Sequence, residues 1–326
     1  VDTAELFIQI ASYRDPQLGP TVADLLARAR HPERLRLGIC LQTGDADGEA
    51  CGVASLPGGE ALRGAELRLD CTPAETSRGC CWARARTQRL WRGEPFTLQI
   101  DSHMRVVPDW DVELVAMWRR CEDPAAMISG YPNAFTLPEQ CDTAQLPLLA
   151  PLGFDAHDGL LRQQGINTFA NPRELPDRPL PGALIGGCML FGPGRMIEEV
   201  PYDPDLYFYG EEISLALRLW TSGFNLYNPD RVLIFHLYKA AGLSHITHWA
   251  EHPDWDQLNQ RSVQRLQALI QGDGLEEPYG LGRARSLQSW QQWSGIDLVS
   301  RQISPEAWAG CFRPPPACSG VEASPA

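Results

Sequence analysis

Hydrophobic and polar positions alternate at the start of the chain. Leu6, Ile8 and Ile10 interleave with Phe7 and Gln9, the period of a half-buried strand. Pro16 and the polar cluster Ser12-Tyr13-Arg14-Asp15 end it. Val22, Leu25, Leu26 and Ala29 then fall at helical spacing, and Leu35, Leu37, Ile39 and Leu41 return to period two. Strand, helix, strand at this length predicts a parallel α/β sheet.

Residues 43–64 read as a Gly- and Ala-rich loop, and Leu67 and Leu69 as a short strand ending near Asp70. A helix is expected over 78–92, carrying Arg84, Arg86 and Arg89, followed by a strand Phe96–Ile100 that runs into Asp101-Ser102-His103. Residues 132–182 are proline-rich and show few periodic runs. Apolar strands are expected at Ala183–Phe191 and Val232–Phe235, with helices after Gly210 and over Leu258–Ile270. The domain expectation is one unit over 1–300, with halves of about 1–130 and 131–300. A loosely ordered tail is expected over 301–326.

The 326 residues are 44% hydrophobic, enough for a full core. A net charge of −13 disfavours nucleic acid as a partner. No apolar run is long enough to span a membrane. Ten cysteines without a C-x-x-C pair read as reduced thiols, and with a start at Val1–Glu5 that lacks a leader pattern they point to the cytoplasm.

Asp101 and His103, two apart at a strand end, point the same way and can grip one divalent cation. That pair suits Mn²⁺, Fe²⁺, Co²⁺ or Zn²⁺ better than Ca²⁺. His236, at the end of Ile234-Phe235-His236, is the best third ligand. The second constellation is Tyr207-Phe208-Tyr209-Gly210-Glu211-Glu212, opening a helix that presents Ile213, Ala216, Leu217 and Trp220 on one face. Aromatics beside carboxylates offer a flat apolar surface plus hydroxyl acceptors, as sugars need. His245, His248 and His252 read as a solvated or acceptor-side loop.

Asp101-Ser102-His103 and the Gly210-Glu211 to Arg218-x-Trp220 block resemble motifs of the polypeptide N-acetylgalactosaminyltransferases. Over roughly residues 5–298 the chain is more similar to a related family. These are the cytoplasmic N-acetylglucosaminyltransferases that modify hydroxyproline, with their bacterial relatives. The stretches that carry this are Ile8–Asp15, Leu98–Met104 and Tyr279-Gly280-Leu281-Gly282 through Arg285-Ser286-Leu287. Ser214 departs from the family pattern, where a Glu closes the acidic motif.

The resemblance implies an α/β GT-A fold, with a Rossmann-like nucleotide-sugar domain around a mixed sheet flanked by helices. It implies a UDP-sugar donor, most simply UDP-GlcNAc, a divalent ion such as Mn²⁺, a protein, peptide or glycan acceptor, and retention of configuration. Asp101, His103 and His236 are implied as metal ligands. Ser12, Tyr13, Arg14, Asp15 and Ser102 are implied at the nucleotide, with Arg84 and Arg86 near it, and Glu211 and Glu212 at the reacting sugar. Two rivals stand beside it: an Fe(II) oxygenase on an all-β scaffold, and a sugar-nucleotide-binding module without turnover.

Overall fold

The computed structural model describes residues 5–316 except 45–46, 138, 143–144, 170–174, 239–245, 273–274 and 276. Its centre is a mixed eight-stranded sheet. In spatial order the strands are Leu180–Pro181, Asn225–Asn228, Ala126–Ser129, Met189–Pro193, Phe96–Asp101, Leu6–Tyr13, Leu35–Thr43 and Glu66–Pro73. The last four run parallel to one another. Met189–Pro193 is antiparallel to both its neighbours.

Leu6–Tyr13 is covered on both faces, which overturns its reading as half-buried. Leu6, Ile8 and Ile10 pack with Leu25 and Leu26 of the helix Leu18–Arg28. Phe7 packs on the other face with Cys81, from the helix Cys80–Gln88. Gln9 survives burial because its amide donates to Thr97 Oγ1 across the sheet at 2.8 Å. Central parallel strands are covered on both sides by their crossover helices, so a polar residue there signals an internal hydrogen bond, not a wet face.

Segments rich in glycine and proline depart most from expectation. The 43–64 loop holds three short helical turns: Gly48–Cys51, Val53–Ser55 and Gly59–Leu62. Within 132–182, Leu146–Phe154 and Leu161–Phe169 pair as an antiparallel ribbon with a register shift at Arg162/Gln163. Pro147 and Pro151 sit in that ribbon, which tolerates proline because each strand bonds on one side only. The strand expected at Ala183–Phe191 starts only at Met189, since Gly186-Gly187 breaks the extended run.

A second layer forms over the sheet from the helices Glu211–Thr221, Trp255–Gln271 and Leu287–Ser294. Leu217, Trp220, Leu266, Leu269 and Trp290 are buried together between them. The first part of the expected tail is ordered. Gln302–Ile303 pairs with Ile296–Asp297, and Ser304 caps the turn Pro305–Trp308, which buries Ala307. Ser followed by Pro is a helix-start signal, overlooked among the prolines. Residues 317–326 of that tail lie outside the described residues. Among the described residues no helix is long and apolar enough to cross a membrane.

Candidate active site

In the parallel register Ala11 stands opposite Asp101. Leu6–Tyr13 has Leu35–Thr43 on one side and Phe96–Asp101 on the other, so its C-terminal end is a topological switch point, where open α/β sheets bind ligands. The chain beyond it brings Asp15 level with Ser102 and His103. Asp15 Oδ2 accepts from Ser102 Oγ at 2.5 Å and lies 2.7 Å from His103 Nδ1. A carboxylate accepts only, so Nδ1 carries the proton and a neutral His103 turns a lone pair outward at Nε2.

His236 arrives from a separate sheet. Its strand, Ile234–His236, is antiparallel to Met104–Val106 and sets His236 opposite Met104, beside His103. His103 Nε2 and His236 Nε2 are 3.1 Å apart, and His236 Nε2 is 3.2 Å from Asp101 Oδ2. Ligand atoms held ~2.1 Å from one ion at right angles lie ~3 Å apart, so these spacings fit a single divalent cation. Asp15 holds His103 by its inner nitrogen, the contact by which carboxylates orient histidines at metal sites. His236 Nδ1 has no partner among the described residues.

Burial pushes the Asp101 carboxyl up, but the His236 bond and the Arg84 charge outweigh it and hold it well below the usual carboxylate range. Burial lowers the His103 pKa, and the Asp15 bond and the two nearby carboxylates more than reverse this.

The facing wall comes from the Glu211–Thr221 helix. Gly210, at φ +92°, turns the chain into it in a conformation that favours glycine. Glu211 pairs with Arg84 Nη1 and accepts from the Tyr202 hydroxyl at 3.0 Å. Arg84 reaches on through Nη2 to Asp101 Oδ1 at 3.0 Å, tying this wall to the Asp101–His103–His236 cluster. A side chain at Gly187 would strike both partners, its Cβ lying 2.7 Å from Arg84 Nη1 and 2.8 Å from Glu211 Oε1.

Glu212 accepts from the Gly187 backbone N–H at 2.7 Å, the Tyr131 hydroxyl at 2.8 Å and Gln163 Nε2 at 2.9 Å. Burial, with the Glu211 charge adding, pushes its carboxyl up to about 7. Between the two walls lies a cavity of about 380 Å³, lined by Asp101, Arg84, Glu211, Glu212, Tyr209 and Tyr238 among others.

Other predicted residues are divided. Ser12 is buried and its hydroxyl has no partner among the described residues. Tyr13 turns away to Glu251 at 2.7 Å and His252 at 3.1 Å. Arg14, at φ +48°, pairs with Asp47 and Glu251. Arg86 does not join Arg84. Two residues along a helix is a rotation of ~200°, and Arg86 pairs instead with Asp70 over the Trp82 ring.

His248 is buried, not solvated: its Nδ1 is 2.8 Å from the Tyr207 hydroxyl, and burial pulls its pKa down to about 4. His245 lies outside the described residues. Tyr131, Gln163, Tyr202 and Tyr238 were overlooked in the sequence. Gln163 sits at the register shift in the ribbon, a device that re-aims side chains near functional sites.

The chain is similar to two solved structures. GalNAc-T7, solved with UDP, GalNAc and Mn²⁺, superposes with a TM-score of 0.57 at 14% identity, over 89% of this chain and 54% of that one. The chain thus spans about half of GalNAc-T7. S. aureus TarS 1-349 in complex with UDP-GlcNAc gives a TM-score of 0.44 at 10% identity, over 91% of this chain and 81% of that one. No curated protein sequence matches. The fold is GT-A, a mixed α/β architecture and not the all-β scaffold of the oxygenase rival. The model of the family described as Glycosyltransferase (GlcNAc) matches residues 5–58 and 46–300, nearly the whole sheet and both site walls, and the chain belongs to that family of glycosyltransferases.

Proposed function

We propose that the enzyme transfers GlcNAc from UDP-GlcNAc to a hydroxyl group on a protein or peptide, with retention of configuration. The observation that carries this is the convergence of Asp101, His103 and His236 at the switch point, across a cavity from Glu211 and Glu212. GalNAc-T7, which shares the fold, was solved with UDP and Mn²⁺. The hydroxyproline-type acceptor rests on the stretches Ile8–Asp15, Leu98–Met104 and Tyr279–Leu287. In domain terms the proposal is one catalytic unit over 1–300, with the donor on the 1–130 side and the acceptor on the 131–300 side.

Asp101, His103 and His236 would hold the ion, Mn²⁺ being the simplest choice for one carboxylate with two imidazoles. A bound divalent ion supplies positive charge beside the departing diphosphate. The protein's own groups divide the remaining work. Arg84 is held between Asp101 and Glu211, so its charge is fixed in place before any substrate enters. Glu212 faces the cavity with its lone pairs oriented by Gly187, Tyr131 and Gln163, and in the ionised state accepts hydrogen bonds from sugar hydroxyls. Tyr238, 43% exposed at the rim, and Phe208 and Tyr209 opposite give apolar faces for a sugar ring or an acceptor.

Glu211 is committed to Arg84 and Tyr202, which disfavours it as a covalent nucleophile. Retention is then served by attack on the donor face from which UDP leaves, with the acceptor proton passing to the leaving phosphate.

The test is UDP release and product formation across a panel of UDP-sugars, with and without Mn²⁺, with a hydroxyproline peptide as acceptor. Preference for UDP-GlcNAc and an α-linked product by NMR support the reading; a β-linked product defeats retention, and a trapped glycosyl-Glu211 or glycosyl-Glu212 defeats the single-step attack while leaving retention intact.

A further inference from the structure

Arg218 lies toward the far end of the Glu211–Thr221 helix from the two glutamates. It is 2% exposed. Its Nη2 donates to the Pro278 carbonyl at 3.0 Å, and its Nε meets no acceptor among the described residues. Burial lowers its pKa to about 10, so it stays charged at neutral pH. A buried cation without a bonded carboxylate is costly, and such groups concentrate where a ligand completes them.

Nearby carboxylates are committed elsewhere. Asp203 pairs with Arg265, Glu199 with Arg195, and Glu277 with Arg283 at 3.5 Å. Arg218 and Arg265 both face the Tyr279 ring, at 5.8 and 5.9 Å, and Asp203, which acts on Arg218, is already paired with Arg265, so among the described residues the Arg218 charge has no bonded carboxylate of its own. Arg218 lines a cavity of about 320 Å³ whose other walls include Ser222, Arg283, the paired carboxylates Glu199 and Glu277, and the backbone of Gly280-Leu281-Gly282. That backbone belongs to the Tyr279–Gly282 stretch, which does not line the cavity between Asp101 and the two glutamates. Gly282 is confined: a Cβ there would sit 2.5 Å from the Ser222 nitrogen.

We propose that this cavity is a second binding site, for a small phosphate-bearing anion, with Arg218 as its buried charge and Ser222 and Arg283 at its mouth. The site is separate from the Asp101 cluster, sharing only the helix that carries Arg218 and the two glutamates. A tetrahedral oxyanion suits it because guanidinium groups pair with phosphate in two-pronged fashion and Ser222 adds a neutral donor.

The test is a calorimetric titration of the full chain with inorganic phosphate and, in a second arm, a phosphate monoester such as glycerol phosphate. Both run at constant ionic strength with saturating UDP and Mn²⁺ to block the catalytic cavity. Saturable binding with one site per chain is expected, and the tighter of the two arms names the source. Arg218→Gln should abolish it. Arg283→Gln, an exposed change that leaves the core intact, should weaken it about tenfold, the loss of one charge-assisted contact. Glu277→Gln, which frees Arg283, should tighten it. Absence of saturable binding in the wild type overturns the proposal, as does binding unchanged in both arginine variants. Because donor hydrolysis is not read out, failure here leaves the transferase reading untouched.

Discussion

Two three-residue clusters of metal-ligand type flank Arg84, and they are not equivalent. Asp101, His103 and His236 bring three ligand atoms together, as do Cys80, Cys81 and Glu211. In the first, Asp15 takes the outer proton of His103 and leaves Nε2 facing its partners. In the second, both thiols donate to Glu211 Oε2, at 3.2 and 3.5 Å, and Arg84 already neutralises that carboxylate. Burial pushes the Cys81 thiol well up, so it keeps its proton. Residue type makes a cluster a candidate; because Arg84 bonds a carboxylate in each, the direction of the lone pairs and the protons kept on the thiols decide it.

The largest effect should follow from breaking the first cluster. Asp101→Ala is expected to lower the Mn²⁺-dependent rate of transfer by at least about 10³, equivalent to several kcal/mol of lost charge stabilisation. Steady-state kinetics over a range of Mn²⁺ concentrations check it, and a variant rescued by excess Mn²⁺ would reduce the residue to an affinity role.

Asp15→Ala should act one step further out. It removes the fixed acceptor of His103, and a loss of about 10- to 100-fold in metal affinity is expected, with kcat at saturating metal much less affected. Unchanged affinity would mean that His103 is oriented by packing alone.

Glu212 gives a pH test of the opposite wall. Its folded pKa of about 7 exceeds the ordinary 4.5, so the folded state binds the extra proton between those values. Stability is therefore fully present below about pH 4.5 and declines as pH rises through 7, by at most about 3 kcal/mol and less where the cavity admits water. Urea melts at pH 4.5 and 7.5 should show this decline in the wild type relative to Glu212→Gln, and equal slopes would place Glu212 in water.

The smallest effect belongs to the second cluster. Cys80→Ser/Cys81→Ser should leave Mn²⁺ affinity within about twofold, while burying a hydroxyl at 81 costs about 1–3 kcal/mol of stability.

The same contrast explains what was legible in the sequence. Asp101 and His103 share one strand end, so a two-residue spacing reveals them. Glu211 and Glu212 open a helix marked by Gly210. His236 could be placed at a strand end, but its pairing opposite Met104 is a register between distant strands that no local pattern encodes. Asp15 stood out as part of the family-like stretch Ile8–Asp15, while its bond to His103 depends on the parallel alignment of Leu6–Tyr13 with Phe96–Asp101. Tyr131 and Gln163 stayed hidden because they lie in or beside a ribbon whose prolines and register shift erase the period-two signal. Arg86 shows the converse: it shares a helix with Arg84 but not a face, and spacing along the sequence does not separate the two.

The most direct measurement is Mn²⁺ binding followed by electron paramagnetic resonance, with and without UDP, in the wild type, His236→Ala and Cys80→Ser/Cys81→Ser. One ion per chain, tightened by UDP, lost in His236→Ala and kept in the cysteine variant, is the predicted result. An ion retained in His236→Ala, or lost only with the cysteines, would contradict the assignment of the metal to the strand-end cluster.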